Sequence, residues 1–240
     1  MRTRAYVRNG NITFRDEDLS PARGVSLWEL CPQLAAMDPA VGHLYLNHFH
    51  DLPVAANWTI TVVGAGSAVA QADGAGGLIT FTTDTGANDA VQIQKIGNAF
   101  KLTTAKPLWF EAKLKLNDVT LPKLFVGMSI TDTTLIAGIS DGVFFEKVTT
   151  GAAVTLNTEK GSSKTTTATI ATMVIDTFMK FGFYFDGAGS VQYFIDGVYK
   201  GVATLHIPDD QYLVPSVAVM NGSGASKVLT LDYVKCYQLR

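Results

Sequence analysis

A two-residue hydrophobic period, starting at Trp58 and running almost to the end of the 240-residue chain, restricts the possible folds more than any other feature. In Leu108–Leu116, the side chains Leu108, Phe110, Ala112, Leu114 and Leu116 share one side of an extended strand, and Trp109, Glu111, Lys113 and Lys115 share the other, because successive strand residues point to opposite faces. One face is expected to be buried and the other wet. Strands rich in Val, Ile, Thr, Phe and Tyr are expected at Leu78–Thr82, Ala90–Lys95, Leu124–Ile130, Val143–Val148, Val154–Thr158, Met179–Phe185, Val191–Ile195, Val198–Thr204, Pro215–Met220 and Lys227–Gln238. That is too many for one open sheet of ordinary size. No long helical pattern separates them, which disfavours parallel βαβ units and leaves two antiparallel sheets face to face, or a barrel.

Turn chemistry points the same way. Asp196-Gly197 lies between Gln192-Tyr193-Phe194-Ile195 and Val198-Tyr199-Lys200; a two-residue hairpin loop needs positive φ, which glycine tolerates and aspartate nearly does. Asp186-Gly187-Ala188-Gly189 supplies a slightly longer loop, so Lys180–Thr204 reads as an antiparallel meander.

The first fifty or so residues differ in composition. Five of the six arginines precede residue 24, every lysine lies at Lys95 or later, and His43, His48 and His50 are three of the four histidines. Strand alternation is weak over most of this stretch, which reads as an arm. Ser26, with Glu29 three residues on, is the capping box of a short helix. Leu44, Leu46, His48 and His50 alternate with Tyr45, Asn47 and Phe49 as a strand leading into the body. Trp28, Leu30 and Leu34 are apolar anchors, to be packed on the body or on a neighbouring molecule.

Composition also excludes function classes. A net charge of −2 gives no electrostatic reason to bind a phosphate backbone, so no nucleic-acid partner is expected. Apolar runs are broken well before the about 18 residues a membrane helix needs, and no apolar segment follows the N-terminal arginines as a secretory signal would require. Cys31 and Cys236 have no metal-ligand spacing around them and read as small buried hydrophobes, with a disulfide as the alternative. Sequons at Asn11, Asn57 and Asn221 matter only in a secreted chain.

Phe181-Gly182-Phe183-Tyr184-Phe185-Asp186-Gly187, followed by Val191-Gln192-Tyr193-Phe194-Ile195-Asp196-Gly197 and a short return strand, resembles the late meander of concanavalin A-like lectin/glucanase jelly rolls. Leu78–Thr82, Leu108–Leu116, Phe125-Val126-Gly127-Met128-Ser129 and Leu229-Thr230-Leu231-Asp232-Tyr233-Val234 fit the same order over roughly residues 50–240. More narrowly, the chain resembles jelly-roll structural proteins of tailed bacteriophages, in which such a domain follows an N-terminal arm and decorates the capsid. The resemblance implies an all-β, two-sheet antiparallel jelly-roll sandwich at 53–240 behind an extended arm with a short helix at 1–52. It further implies a protein of the virion's capsid surface, an oligomer within an assembly, whose partners are the major capsid protein and neighbouring copies of itself. No cofactor is implied.

Glucanases of this resemblance carry two or three carboxylates at alternate positions of one strand, since glycoside hydrolysis needs an acid and a nucleophile or base at fixed separation. No body strand holds Glu-x-Asp-x-x-Glu, and Asp16-Glu17-Asp18, beside Arg15, reads as a solvated run. No Gly-x-Ser-x-Gly elbow occurs. The expectation is a protein that is not an enzyme. Arg2, Arg4, Arg8, Arg15, Arg23 and Trp28 are the candidate partner-binding residues, because guanidinium groups pair bidentately with carboxylates. Asp84, Asn88 and Asp89 are the candidate hard-cation ligands, with turn geometry as the competing explanation. His43, His48, His50 and Asp51 are a second metal candidate. A lectin-like alternative, a carbohydrate-binding module on a virion or cell surface, would use Tyr184 and Tyr193 to stack on a glycan.

Overall fold

The computed structural model describes residues 2–8, 11–17, 27–31, 38–53, 55–148 and 150–240, with 2–8, 11–17, 29 and 30 described by their backbone. Two eight-stranded antiparallel sheets form a jelly-roll sandwich. The front sheet contains β3 (Gly42–Asn47), β5 (Ala68–Ala72), β6 (Leu78–Thr82), β8 (Leu108–Leu116), β14 (Met179–Phe185), β15 (Val191–Ile195), β16 (Val198–Ala203) and β18 (Val228–Leu239). The back sheet contains β4 (Trp58–Val63), β7 (Ala90–Lys95), β9 (Lys123–Ser129), β10 (Gly142–Lys147), β11 (Ala153–Lys160), β12 (Ser163–Thr166), β13 (Ala171–Thr172) and β17 (Val214–Met220). The front order is β16-β15-β14-β8-β18-β6-β5 with β3 on β18, and the back order β12-β11-β10-β9-β17-β7-β4 with β13 on β11. Both sheets interleave distant segments, which is why the alternation must hold along the whole chain.

The core lies between the sheets. Leu108, Phe110, Ala112, Leu114 and Leu116 of β8 and Phe181, Phe183 and Phe185 of β14 face Val91, Ile93, Leu124, Val126, Val143, Phe145, Val217 and Val219 of the back sheet. Phe110 stacks on Phe183 at 5.1 Å, and Phe145 meets Phe181 at 5.5 Å across the gap. Each fully buried side chain of this kind contributes about 1.5–3 kcal/mol. The Asp196-Gly197 turn takes the expected left-handed dihedrals, φ 52° and 79°. The long strand β18 shifts register against β8 between Leu231 and Tyr233; it pairs with β6 before the shift and with β3 after it.

The N-terminal stretch departs from the sequence reading. Arg2–Arg8 (β1) and Asn11–Glu17 (β2) pair as an antiparallel two-stranded ribbon with a sheet of its own. Two signals in the sequence point to it: the alternation of Arg2, Arg4, Tyr6 and Arg8 with Thr3, Ala5 and Val7, and the Asn9-Gly10 pair, a strong hairpin signal. Leu27–Leu30 is a single 3-10 turn, and Ser26, its expected cap, lies outside the described residues. The strand expected near Leu44 to His50 runs instead over Gly42–Asn47 and belongs to the front sheet. Cys236 is buried in the inter-sheet core and Cys31 is buried against the outer face of the same sheet.

Candidate functional site

Both outer faces of the sandwich are partly covered. Register places Phe125 of β9, Phe144 and Glu146 of β10, Asn157 and Glu159 of β11, Gln92 and Gln94 of β7 and Ala218 of β17 on the outer face of the back sheet. The connection between β9 and β10 folds over its middle, seating Leu135 and Ile139 on Phe125, Phe144 and Ala218. Two buried glutamines hold it. The Gln94 amide nitrogen donates to the Ile130 carbonyl at 3.0 Å and Ser216 Oγ at 3.0 Å, and its oxygen accepts from the Asp132 amide at 2.8 Å. Gln92 donates to the Asp132 carbonyl at 2.7 Å and accepts from the Leu135 amide at 3.1 Å.

Beside this cover lies a polar row. Glu146 accepts from Asn157 Nδ2 and from Lys164 Nζ, both at 2.8 Å. Glu159, two residues from Asn157 on the same face, is buried. Burial raises its pKa, Lys164 opposes the rise, and the negative charges of Glu146 and Asp141 add to it. Asp141 is fixed by the Ser140 hydroxyl at 2.7 Å and the Gly161 amide at 3.0 Å. A carboxyl group whose pKa is raised beside other carboxylates is the arrangement that acid–base chemistry uses. Reading each strand separately missed the group, because the two glutamates share a face only through the β10–β11 register, in which Glu159 is opposite Gly142 and Glu146 opposite Thr155.

The front sheet's outer face is covered from far away in sequence. Trp109 and Glu111, expected on a wet face, are 1% and 5% exposed, because the turn at Leu27–Leu30 seats Leu27 against Trp109, Phe194 and Tyr237. Gly182 makes the space: a Cβ there would stand 2.5 Å from Leu27 Cδ2. Lys235 Nζ lies 3.5 Å from the Trp28 ring centroid. Tyr233 donates to Glu111 at 2.6 Å, and its own pKa is pushed upward by burial first and by that hydrogen bond second.

Of the candidate partner-binding residues, Trp28 belongs to this cover, half-buried. Arg23 lies outside the described residues. Arg2, Arg4, Arg8 and Arg15 all fall on one face of the ribbon: Arg2 is opposite Glu17, Arg4 opposite Arg15 and Arg8 opposite Asn11. The other face carries Ala5 opposite Phe14 and Val7 opposite Ile12.

The glycan candidates separate. Tyr184 lies on the outer face, its ring 4.9 Å from Trp109. Tyr193 is 8% exposed and part of the inter-sheet core, because the register of β15 turns it inward with Val191, and its ring is therefore closed to a ligand. Asp84 and Asp89 serve turns: Asp84 accepts from the Gly66 amide at 2.9 Å and Asp89 from the Gly86 amide at 2.7 Å, while Asn88 takes φ 72°. The backbone amides lower the Asp84 pKa. His48 and His50 lie 6.0 Å apart and His43 stacks on Phe100 at 4.9 Å. Among the described residues no three His, Cys, Asp or Glu side chains gather as metal ligands.

No protein-family model matches the sequence, and no curated protein does. Solved structures share its fold. An endo-1,3-beta-glucanase from Streptomyces sioyaensis superposes with TM-score 0.63 at 14% identity, covering 84% of this chain and 98% of its own. A protein of unknown function from Shewanella oneidensis MR-1 gives 0.58 at 15%, covering 93% and 95%. The Bacillus licheniformis beta-glucanase gives 0.58 at 11%, covering 80% and 96%. These likenesses place the chain in the concanavalin A-like jelly-roll fold that the sequence resemblance implied. They also correct the expectation that it is not an enzyme: the solved structures that share this fold include an endo-1,3-beta-glucanase and a beta-glucanase, so the fold gives no ground for excluding catalysis.

Proposed function

We propose that this protein is a structural component of a bacteriophage particle, a jelly roll that decorates the outside of the head and stabilises the shell. Its N-terminal residues contact the major capsid protein and neighbouring copies. The observation that carries this reading is the ribbon of β1 and β2, which pairs with neither sandwich sheet and aligns Arg2, Arg4, Arg8 and Arg15 on one face. A lone two-stranded ribbon is marginal in water, and an acidic partner surface relieves the opposition of Arg4 and Arg15 through bidentate carboxylate pairing. Many such weak contacts around a shell add by avidity.

The test is co-sedimentation of the full chain with heads that lack it. Saturable binding at fixed stoichiometry, lost in the Arg4→Glu/Arg15→Glu variant with the sandwich still folded, is the expected result. Full binding by that variant, or none by the natural chain, sinks the assignment.

A second reading is favoured by one specific observation, the Glu146 and Glu159 row. Burial raises the Glu159 pKa and Glu146 pairs with Lys164 on the same face, and glycoside hydrolysis uses two carboxyl groups, one of them a general acid with a raised pKa. Release of reducing ends from 1,3-β-glucan or mixed-linkage β-glucan, abolished by Glu159→Gln, would establish it; inert substrates would end it.

A further inference from the structure

We infer that the cleft between the Ala99–Lys106 connection and the C-terminal end of β18 binds an acidic saccharide, a sugar or short oligosaccharide bearing a carboxylate. The cleft has a volume of about 410 Å³, within the range of small-molecule sites. Its lining presents His43, Lys101, Lys106 and Arg240 together with the Tyr212 ring, and no Asp or Glu side chain. Among the described residues, Lys101, Lys106 and Arg240 form no ion pair. The carboxylate that feels Lys101, Asp209, is already bound to Lys160. In a chain of net charge −2, unpaired cations gathered on one concave surface repel one another until an anion sits among them.

The walls are built before any ligand arrives. Gln238, buried at the base, donates to the Lys101 carbonyl and accepts from the Lys101 amide at 3.2 Å, so one side chain fixes the loop that carries the lysines. Phe100 bridges to Leu213, with the Leu213 amide donating to the Phe100 carbonyl at 2.8 Å, which fastens the Tyr212 segment to the same loop. His43 Nε2 donates to the Ala99 carbonyl at 2.9 Å. The Leu239 amide donates to the Pro107 carbonyl at 3.0 Å. Tyr212 is 53% exposed, with Lys101 Nζ 5.5 Å from its ring centroid. An exposed aromatic face next to a cation matches a ligand with an apolar ring face and a carboxylate at its edge, and a bare inorganic anion has no use for the ring. The Thr103 hydroxyl, also in the lining, adds a donor and acceptor for sugar hydroxyls.

The inference is independent of attachment to any particle. Its test is calorimetric titration of the full chain with a glucuronic acid trimer, a neutral glucose trimer and inorganic phosphate. The expected result is one saturable site for the acidic trimer, weakening with salt, and none for the neutral one. Lys101→Ala/Lys106→Ala should lower affinity by about tenfold or more with an unchanged unfolding midpoint, since both side chains are outside the core. Tyr212→Ala should weaken the trimer several-fold and leave any phosphate binding unaltered. Absence of binding, equal binding of the neutral trimer, affinity indifferent to the lysine substitutions, or phosphate binding as tightly as the trimer overturns the inference.

Discussion

The two outer faces of the sandwich are covered by opposite means. The back sheet is covered by the connection between two of its own strands, and buried glutamine side chains hydrogen-bond that connection's backbone. The front sheet is covered by a turn from Leu27 to Leu30, whose contacts with the sheet are apolar and aromatic. Among the described residues, Trp28 Nε1, Trp109 Nε1 and Tyr237 Oη in that cluster have no hydrogen-bond partner. The contrast teaches which cover is part of the folding unit. Buried amides have their full desolvation at stake, so the back cover cannot lift without leaving polar groups stranded. An apolar seat can open locally at the cost of its own contacts alone.

The sharpest way to break this contrast is at Gln94. Gln94→Ala removes the partners of the Asp132 amide and the Ile130 carbonyl, and one of the three partners of Ser216 Oγ, inside a site where Gln94 itself is 1% exposed. A loss of about 3 kcal/mol or more in global stability is expected, read from urea melts followed by circular dichroism. A loss below about 1 kcal/mol would show that the back cover is as separable as the front one. Next comes Leu135→Ala, which empties a fully seated side chain over Phe125 and Phe144 and is expected to cost about 2–3 kcal/mol in the same melts.

Gly182→Ala probes the other face. The new methyl meets Leu27 Cδ2 at 2.5 Å and the Phe110 carbonyl at 3.2 Å; overpacking of this sort costs about 1–3 kcal/mol when the surroundings cannot move. Because the turn is separable, the expected result is displacement of the turn instead of unfolding. Amide exchange at residues 27–31 should rise and tryptophan emission shift, with the sandwich midpoint lowered by less than about 1 kcal/mol. A midpoint that falls by the full overpacking cost would make the front cover an integral part of the core.

The same contrast explains how much was legible in the sequence. β6, β7, β8, β14 and β15 begin and end where the alternation places them, because a half-buried strand bounded by glycine turns is specified by nearest neighbours alone. The β-ribbon was also written in the sequence, in the alternation from Arg2 to Arg8 and Asn9-Gly10, but the stretch reads as an arm whose strand begins only near Leu44. Trp109 and Glu111 were misread as wet because their cover arrives from about eighty residues upstream, and local periodicity contains no term for it. The Glu146–Glu159 row had the same obstacle: each glutamate is ordinary within its own strand, and only the pairing of β10 with β11 puts them on one face.

The smallest effect, and the one that refines the front cover most, belongs to Lys235. Its ammonium lies over the Trp28 ring, a contact of about 0.5–1 kcal/mol where solvent reaches it, while burial holds its pKa below the ordinary lysine range. The folded chain therefore releases this proton at a lower pH than the unfolded chain does. Between those two values the unfolded chain binds more protons, so stability rises with pH and reaches its full value above the ordinary lysine pKa. Over the same window the cation leaves the Trp28 face. Stability and tryptophan emission should both change there, and Lys235→Met should abolish the emission change and reduce the rise in stability. Lys147, buried and lowered to about 8, titrates in the same direction in either chain, so the difference between them isolates Lys235. If the two chains show the same alkaline slope and the same emission, Lys235 does not hold the turn, and the seat of Leu27 beside Gly182 carries the front cover alone.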